Sequence, residues 1–220
     1  MGVSILFFSA VAVFAVWWLS KHRLASKPWL EQGTASEFPG AGVSQTPVAK
    51  VGLTVLLASL AALFALFISA YVMRMQFADW RPVAKPTLLW VNTGVLMLSS
   101  AALQRARVAA EHDDEREIRA YLVAAGSTAL AFLIGQIVAW QQLVALGYAL
   151  ASNPANAFFY LITGLHGLHV VGGLVALGWV MWRRSRAERP DVRLGLALCG
   201  MYWDFLLLIW LVLFGLLLLT

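Results

Sequence analysis

Long, nearly uncharged apolar runs recur along this 220-residue chain, and they constrain it more than any motif does. Each is about 20 residues long, enough for a helix to cross the hydrocarbon core of a bilayer. The runs are Gly2–Ser20, Val51–Met75, Thr87–Leu103, Tyr121–Leu146, Ala157–Trp182 and Leu194–Leu219. In lipid, only helices and closed barrels satisfy every backbone N–H and C=O. These runs are too long and too continuous for barrel strands. The expected fold is therefore an all-α polytopic membrane protein with six spans. Composition agrees: charged residues make up 12% of the chain, about half the share found in soluble domains.

In such a chain the net charge of +5 is a topological signal and not the footprint of a nucleic-acid partner. The basic cluster Lys21, Arg23 and Lys27 follows the first apolar run, an order that fits a retained first helix with its amino terminus outside, not a cleaved signal. On that orientation thirteen of the 16 lysines and arginines fall in inner loops, leaving Arg74, Arg81 and Lys85 outside. This positive-inside bias puts both termini on the outer side. Trp80, Trp90, Trp140, Trp179 and Trp182 stand near span ends, as interfacial anchors do.

Three segments follow. Residues 1–20 form an amino-terminal transmembrane helix. Residues 21–50, rich in Pro, Gly and Ser, form an inner linker. Residues 51–220 form a five-helix membrane domain. The charged stretch "EHDDEREI" (Glu111–Ile118) is a solvated inner loop.

Ionisable groups inside a span are costly and are functional candidates by default. Here they are His166, His169 and Asp204, with Gln136 and Asn92 adding neutral polar atoms. His166 and His169 are three residues apart and share a helix face. No other span supplies a histidine, and Cys199 is the single thiol, so a metal site is not expected and the cysteine reads as a packing residue. Counting 1.5 Å per residue from the short loop that joins the last two spans places Asp204 and His169 at about the same depth. That predicts an Asp204 pair with His169, or with His166 one turn further out. A protonated Asp204 bonded to a backbone carbonyl or a partner subunit is the alternative. Gly164, Gly172 and Ala176 lie at four-residue multiples along the same helix and permit close helix approach.

"FFYLITGLHGLHVVGGLVAL" followed by "MYWDFLLLIWLVLFGLLL" resembles subunit III of the haem-copper terminal oxidases, the cytochrome c oxidases and their quinol-oxidising relatives. The resemblance rests on Thr163, Gly164, His166, Gly167, His169 and Val170, then Tyr202, Trp203, Phe205 and Trp210. "LFISAYVMRM", "LLWVNTGVLMLSSAALQRA", "GQIVAWQQL" and "NPANAFFY" extend it over about Lys50 to Thr220. Three carboxylates common in the family are replaced, by Leu60, Ala139 and Leu207, and Asp204 stands where the family has a histidine.

The resemblance implies a non-catalytic accessory subunit of a respiratory terminal oxidase, with oxygen reduction and proton movement carried by haems and copper in partner subunits. This chain would then bind no cofactor itself. Its partners would be the catalytic subunit I, other oxidase subunits and phospholipids, in a bacterial inner membrane. Polar interface or lipid contacts are expected at His166, His169, Asp204, Gln136, Trp203 and Arg74. A homologous accessory subunit of a nitric oxide reductase, or a small transporter, are the alternative readings. The first helix reads as an extension of, or a fusion to, a five-helix core.

Overall fold

The computed structural model describes residues 48–83, 87–185 and 192–219. The expected first span, Gly2–Ser20, and most of the linker after it lie outside the described residues. All regular structure among those described is helical: α1 (Val48–Arg74), α2 (Leu88–Glu111), α3 (Glu115–Ala145), α4 (Pro154–Ser185) and α5 (Val192–Leu219). The helices pack within a compact unit spanning Gly52–Leu218.

Helix boundaries follow local chemistry. Asp114 caps α3: its backbone is extended and its carboxylate accepts from the amides of Arg116 and Glu117 at 3.1 and 3.0 Å. These are two of the donors that a helix start leaves unpaired. Asp113 before it takes a left-handed φ of 54°, which lets α2 reverse into α3 within three residues. The far end of α3 closes on Gly147, at φ 86°. There Tyr148 N–H bonds the Leu143 carbonyl at 2.9 Å and Gly147 N–H bonds that of Val144 at 3.0 Å, the paired bonds of a Schellman ending. Pro154 opens α4 where a missing N–H costs nothing, and Asn153 before it accepts from Ala155 N–H.

Each helix buries one stripe at three- and four-residue spacing. On α3 this is Ile118, Leu122, Ala125, Ala129, Phe132, Gln136, Ala139 and Leu143. On α4 it is Phe159, Ile162, Thr163, His166, Val170, Gly173 and Leu177. The outward faces carry Leu66, Trp90, Leu98, Ile134, Leu168, Val175 and Trp179, all exposed. So much apolar surface turned outward fits a lipid solvent and not water.

By length and composition, four of the five helices can cross a membrane: Ala49–Arg74, Glu115–Ala145, Pro154–Trp182 and Arg193–Leu219. The expected span Thr87–Leu103 does form a helix, α2, but it falls outside that set. The reason is its cargo of Asn92, Thr93, Ser99, Ser100, Gln104, Arg105 and Arg107. The structure shows what the count misses: Asn92, Thr93, Ser99 and Ser100 are all buried, turned away from where lipid would lie. The helices also run further than the apolar runs. α3 begins at Glu115, because a capped, charged first turn continues the helix past the apolar stretch.

Candidate functional site

The interior of the bundle is polar at selected levels, and tryptophans organise it. The indole N–H of Trp203 on α5 donates to Ser99 Oγ on α2 at 3.0 Å, and Ser99 in turn donates to the Ala125 carbonyl on α3 at 2.8 Å. Two turns along α5, Trp210 donates to Thr93 Oγ1 at 2.9 Å, and Thr93 donates to the Leu89 carbonyl at 2.8 Å. Between α3 and α4, Trp140 donates to Thr163 Oγ1 at 3.1 Å, and Thr163 donates to the Phe159 carbonyl at 2.6 Å. The same relay of indole, hydroxyl and carbonyl therefore occurs three times. A buried indole N–H needs an acceptor, and a hydroxyl that both accepts and donates supplies one while staying satisfied. Each bond contributes about 0.5–1.5 kcal/mol net, and an orphaned partner costs about 1–3 kcal/mol.

His166 is wholly buried. Its Nε2 lies 3.0 Å from the Leu206 carbonyl on α5; a carbonyl can only accept, so Nε2 carries the proton and donates. The ring sits among Phe64 of α1, Phe132 of α3 and Trp210 of α5, with centroids 6.5, 5.8 and 5.0 Å away. One side chain of α4 thus touches three other helices. His169 is half-buried, and its Nδ1 donates to the Leu165 carbonyl of its own helix at 2.7 Å. The backbone carbonyl of His169 accepts from Tyr202 Oη at 3.0 Å.

The expected pairing of Asp204 with a histidine is corrected here. Asp204 Oδ1 accepts from Ser100 Oγ at 2.7 Å and from Gln104 Nε2 at 3.2 Å, both on α2. The cause is azimuth. Residues 202 and 204 stand some 200° apart around a helix, so Tyr202 reaches α4 while Asp204, beside Trp203, faces α2. The histidines do stand level with Asp204, since His169 meets Tyr202 and His166 meets Leu206, but Asp204 looks in a different direction from the axis of α5.

Of the other candidates, Trp203 and Gln136 are buried at 2% and 3% exposure, inside the bundle and away from its outer surface. Arg74 ends α1, where its guanidinium holds the Asp79 carboxylate in a two-point pair, with Nη1 and Oδ1 2.7 Å apart. It also lies over the Phe77 ring at 4.9 Å. The Arg74 hydrogen bonds hold the Asp79 carboxyl below its ordinary value. Gly164 lets the Trp140 ring approach, since a β-carbon there would lie 3.3 Å from Cη2. Gly172 and Ala176 are exposed.

Sequence reasoning did not single out Gly173, Gly135, Ser99, Ser100 and Thr93. Gly173 is the tight point of α4, where a β-carbon would meet Trp203 Cζ3 at 2.9 Å. The spacing Phe159, His166, Gly173, seven residues at a time along one stripe, is the signal that identifies it. Gly135 accepts the Asn92 side chain against its backbone so closely that a β-carbon would overlap the amide.

Among the described residues no group of three or more His, Cys, Asp or Glu side chains could hold a metal ion. The arrangement can clamp helices together and bury hydrogen-bonded polar groups at depth. Of the buried hydroxyls, Thr93, Ser99 and Thr163 are committed to the relays and Ser100 to the Asp204 carboxylate.

Comparison with known proteins identifies the lineage of this arrangement. A family described as cytochrome c oxidase subunit III matches residues 6–219, reaching well N-terminal of the Lys50 limit of the motif resemblance. A cytochrome c oxidase subunit 3 of Thermostichus vulcanus is 34% identical over 173 residues, covering 76% of this chain and 85% of the relative. A probable cytochrome c oxidase subunit 3 of Mycobacterium tuberculosis is 31% identical over 191 residues, covering 83% and 93%. A cytochrome c oxidase subunit 3 of Synechocystis is 28% identical over 170 residues, covering 74% and 72%.

Proposed function

The chain belongs to the cytochrome c oxidase subunit III family, and from that premise we propose that it is a non-catalytic accessory subunit of a haem-copper terminal oxidase. The observation that carries this is a family match over nearly the whole chain. It is supported by an interior whose indoles and Ser100 are spent on helix-to-helix bonds. The oxygen chemistry then belongs to haems and copper in partner subunits, and this chain stabilises the catalytic subunit I.

In this reading all six apolar runs cross a bacterial inner membrane with both termini outside. For α2 the supporting fact is its inward-turned stripe: Thr93, Ser99 and Ser100 are satisfied inside the bundle, while Trp90, Val91, Met97 and Leu98 face out. A helix of modest mean hydropathy can cross when its polar side is buried in protein. Phospholipid binding is supported by an open recess of about 880 Å³ between α3 and α4, lined by Trp140, Val144, Leu150, Ala157, Tyr160 and Leu161. Its walls are almost wholly apolar, as an acyl chain requires.

Purification of the tagged full-length chain from its native membranes tests the reading. A complex that contains haem and copper and reduces oxygen is expected. Deletion of the chain should leave initial turnover in place but shorten the working lifetime of the complex. Recovery of the chain apart from any haem protein would overturn the proposal.

A further inference from the structure

The hydroxyls of the interior are satisfied, but one level is not. Neither atom of the Gln136 side-chain amide has a hydrogen-bond partner, nor does Asn92 Nδ2 or His166 Nδ1. All three residues are at most 3% exposed. They also fall at one level. Asn92 lies against α3 at Gly135, the neighbour of Gln136. Gln136 is one turn beyond Phe132 on the same buried stripe, and the Phe132 ring lies 5.8 Å from His166 and 4.9 Å from Trp210. Trp210 is held in turn by Thr93, next to Asn92. Beyond Gln136 the level is closed by the bond between Trp140 and Thr163.

The chemistry of these atoms is complementary to water and not to one another alone. With its proton on Nε2, His166 presents a bare acceptor at Nδ1. Gln136 presents two donors and an acceptor, and Asn92 two donors. We propose that this level, between α2, α3 and α4, is an internal water-binding site: water donates to His166 Nδ1 and accepts from the Gln136 and Asn92 amides. A buried water takes about three such bonds in a polar site. The site ties α4 to α2 and α3 at the depth where direct side-chain bonds fall short, and it does not depend on the family assignment.

Brief X-ray radiolysis of the full chain in its native membranes tests this, because hydroxyl radicals from a bound water oxidise the side chains beside it. Trp210 borders the site, whereas Trp203 is equally buried and equally bonded to a hydroxyl but lies two turns away. Oxidation of Trp210 several-fold faster than Trp203 is expected, with the ratio falling toward one in Gln136→Met. Equal rates in the unaltered chain would overturn the proposal, and that comparison stands even where the variant fails to accumulate. An unchanged ratio in an accumulating Gln136→Met variant would overturn it as well.

Discussion

The ring of Trp203 rests on the backbone of Gly173, so closely that a β-carbon there would stand 2.9 Å from Cζ3 and 3.3 Å from Cε3. The ring cannot give way, because its N–H is fixed on Ser99. Gly173→Ala should therefore destabilise the bundle by about 1–3 kcal/mol, the usual cost of overpacking a core. Gly200→Ala offers a contrast at similar distance. Its β-carbon would meet Arg107 Cδ at 2.7 Å, on a long side chain that can swing aside, so a smaller loss is expected. Gly178→Ala meets nothing within 4 Å and should be neutral or slightly stabilising through helix propensity. Thermal unfolding of the three variants in one detergent would rank them. Equal losses would show that the Gly173 contact is not the constraint it is taken to be.

The relay from Trp203 through Ser99 to the Ala125 carbonyl predicts non-additivity. Ser99→Ala leaves a buried indole N–H without an acceptor, and about 1–3 kcal/mol should be lost. Trp203→Phe leaves Ser99 still bonded to its carbonyl, and the cost there is mainly packing. Once the indole is gone, removal of the hydroxyl should cost less. A double-mutant cycle on the two positions should then show a coupling of about 0.5–3 kcal/mol. Strict additivity would mean that the bond contributes nothing.

How much of this arrangement the sequence discloses depends on whether the question is one of distance along a helix or of angle around it. Length and apolarity placed five helices close to where they are found, since both are properties of a run of residues. Level along the bundle was legible too: His169 meets Tyr202 and His166 meets Leu206, two residues either side of Asp204. Azimuth was not, because it depends on which neighbour each helix faces. Asp204 therefore went to Ser100 and not to a histidine, and the tight glycine proved to be Gly173 and not its neighbour Gly172. The helix start at Glu115 was hidden for another reason. Capping by Asp114 extends a helix through charged residues that no apolar run marks.

Asp204 serves two donors on α2, and its replacements should separate charge from hydrogen bonding. Asp204→Asn keeps an acceptor oxygen for Ser100 and should cost less than about 1 kcal/mol. Asp204→Leu leaves Ser100 and Gln104 without their acceptor and should cost about 1–3 kcal/mol. The lower end is expected, because a serine in a helix can turn to the carbonyl four residues back. Unfolding in detergent reads both effects. A loss for Asn as large as that for Leu would indicate that the negative charge itself is required.

The Arg74 pair with Asp79 predicts a pH dependence of definite sign. The folded-state value of Asp79 is depressed by its bonds to Arg74. The unfolded chain therefore binds the proton first, and the contribution of the pair is fully present above the ordinary aspartate value of about 3.9. It is lost as pH falls through the lower, folded-state value. The difference in unfolding temperature between the parent chain and Asp79→Asn should then be flat from about pH 6 to pH 8 and close on acidification. Asp79 is exposed and Arg74 partly so, so the difference should also shrink in about 1 M salt, where screening acts over only about 3 Å. A difference that widened as pH fell would have the wrong sign for a carboxylate held in its charged form, and would place the effect of the substitution elsewhere than in this pair.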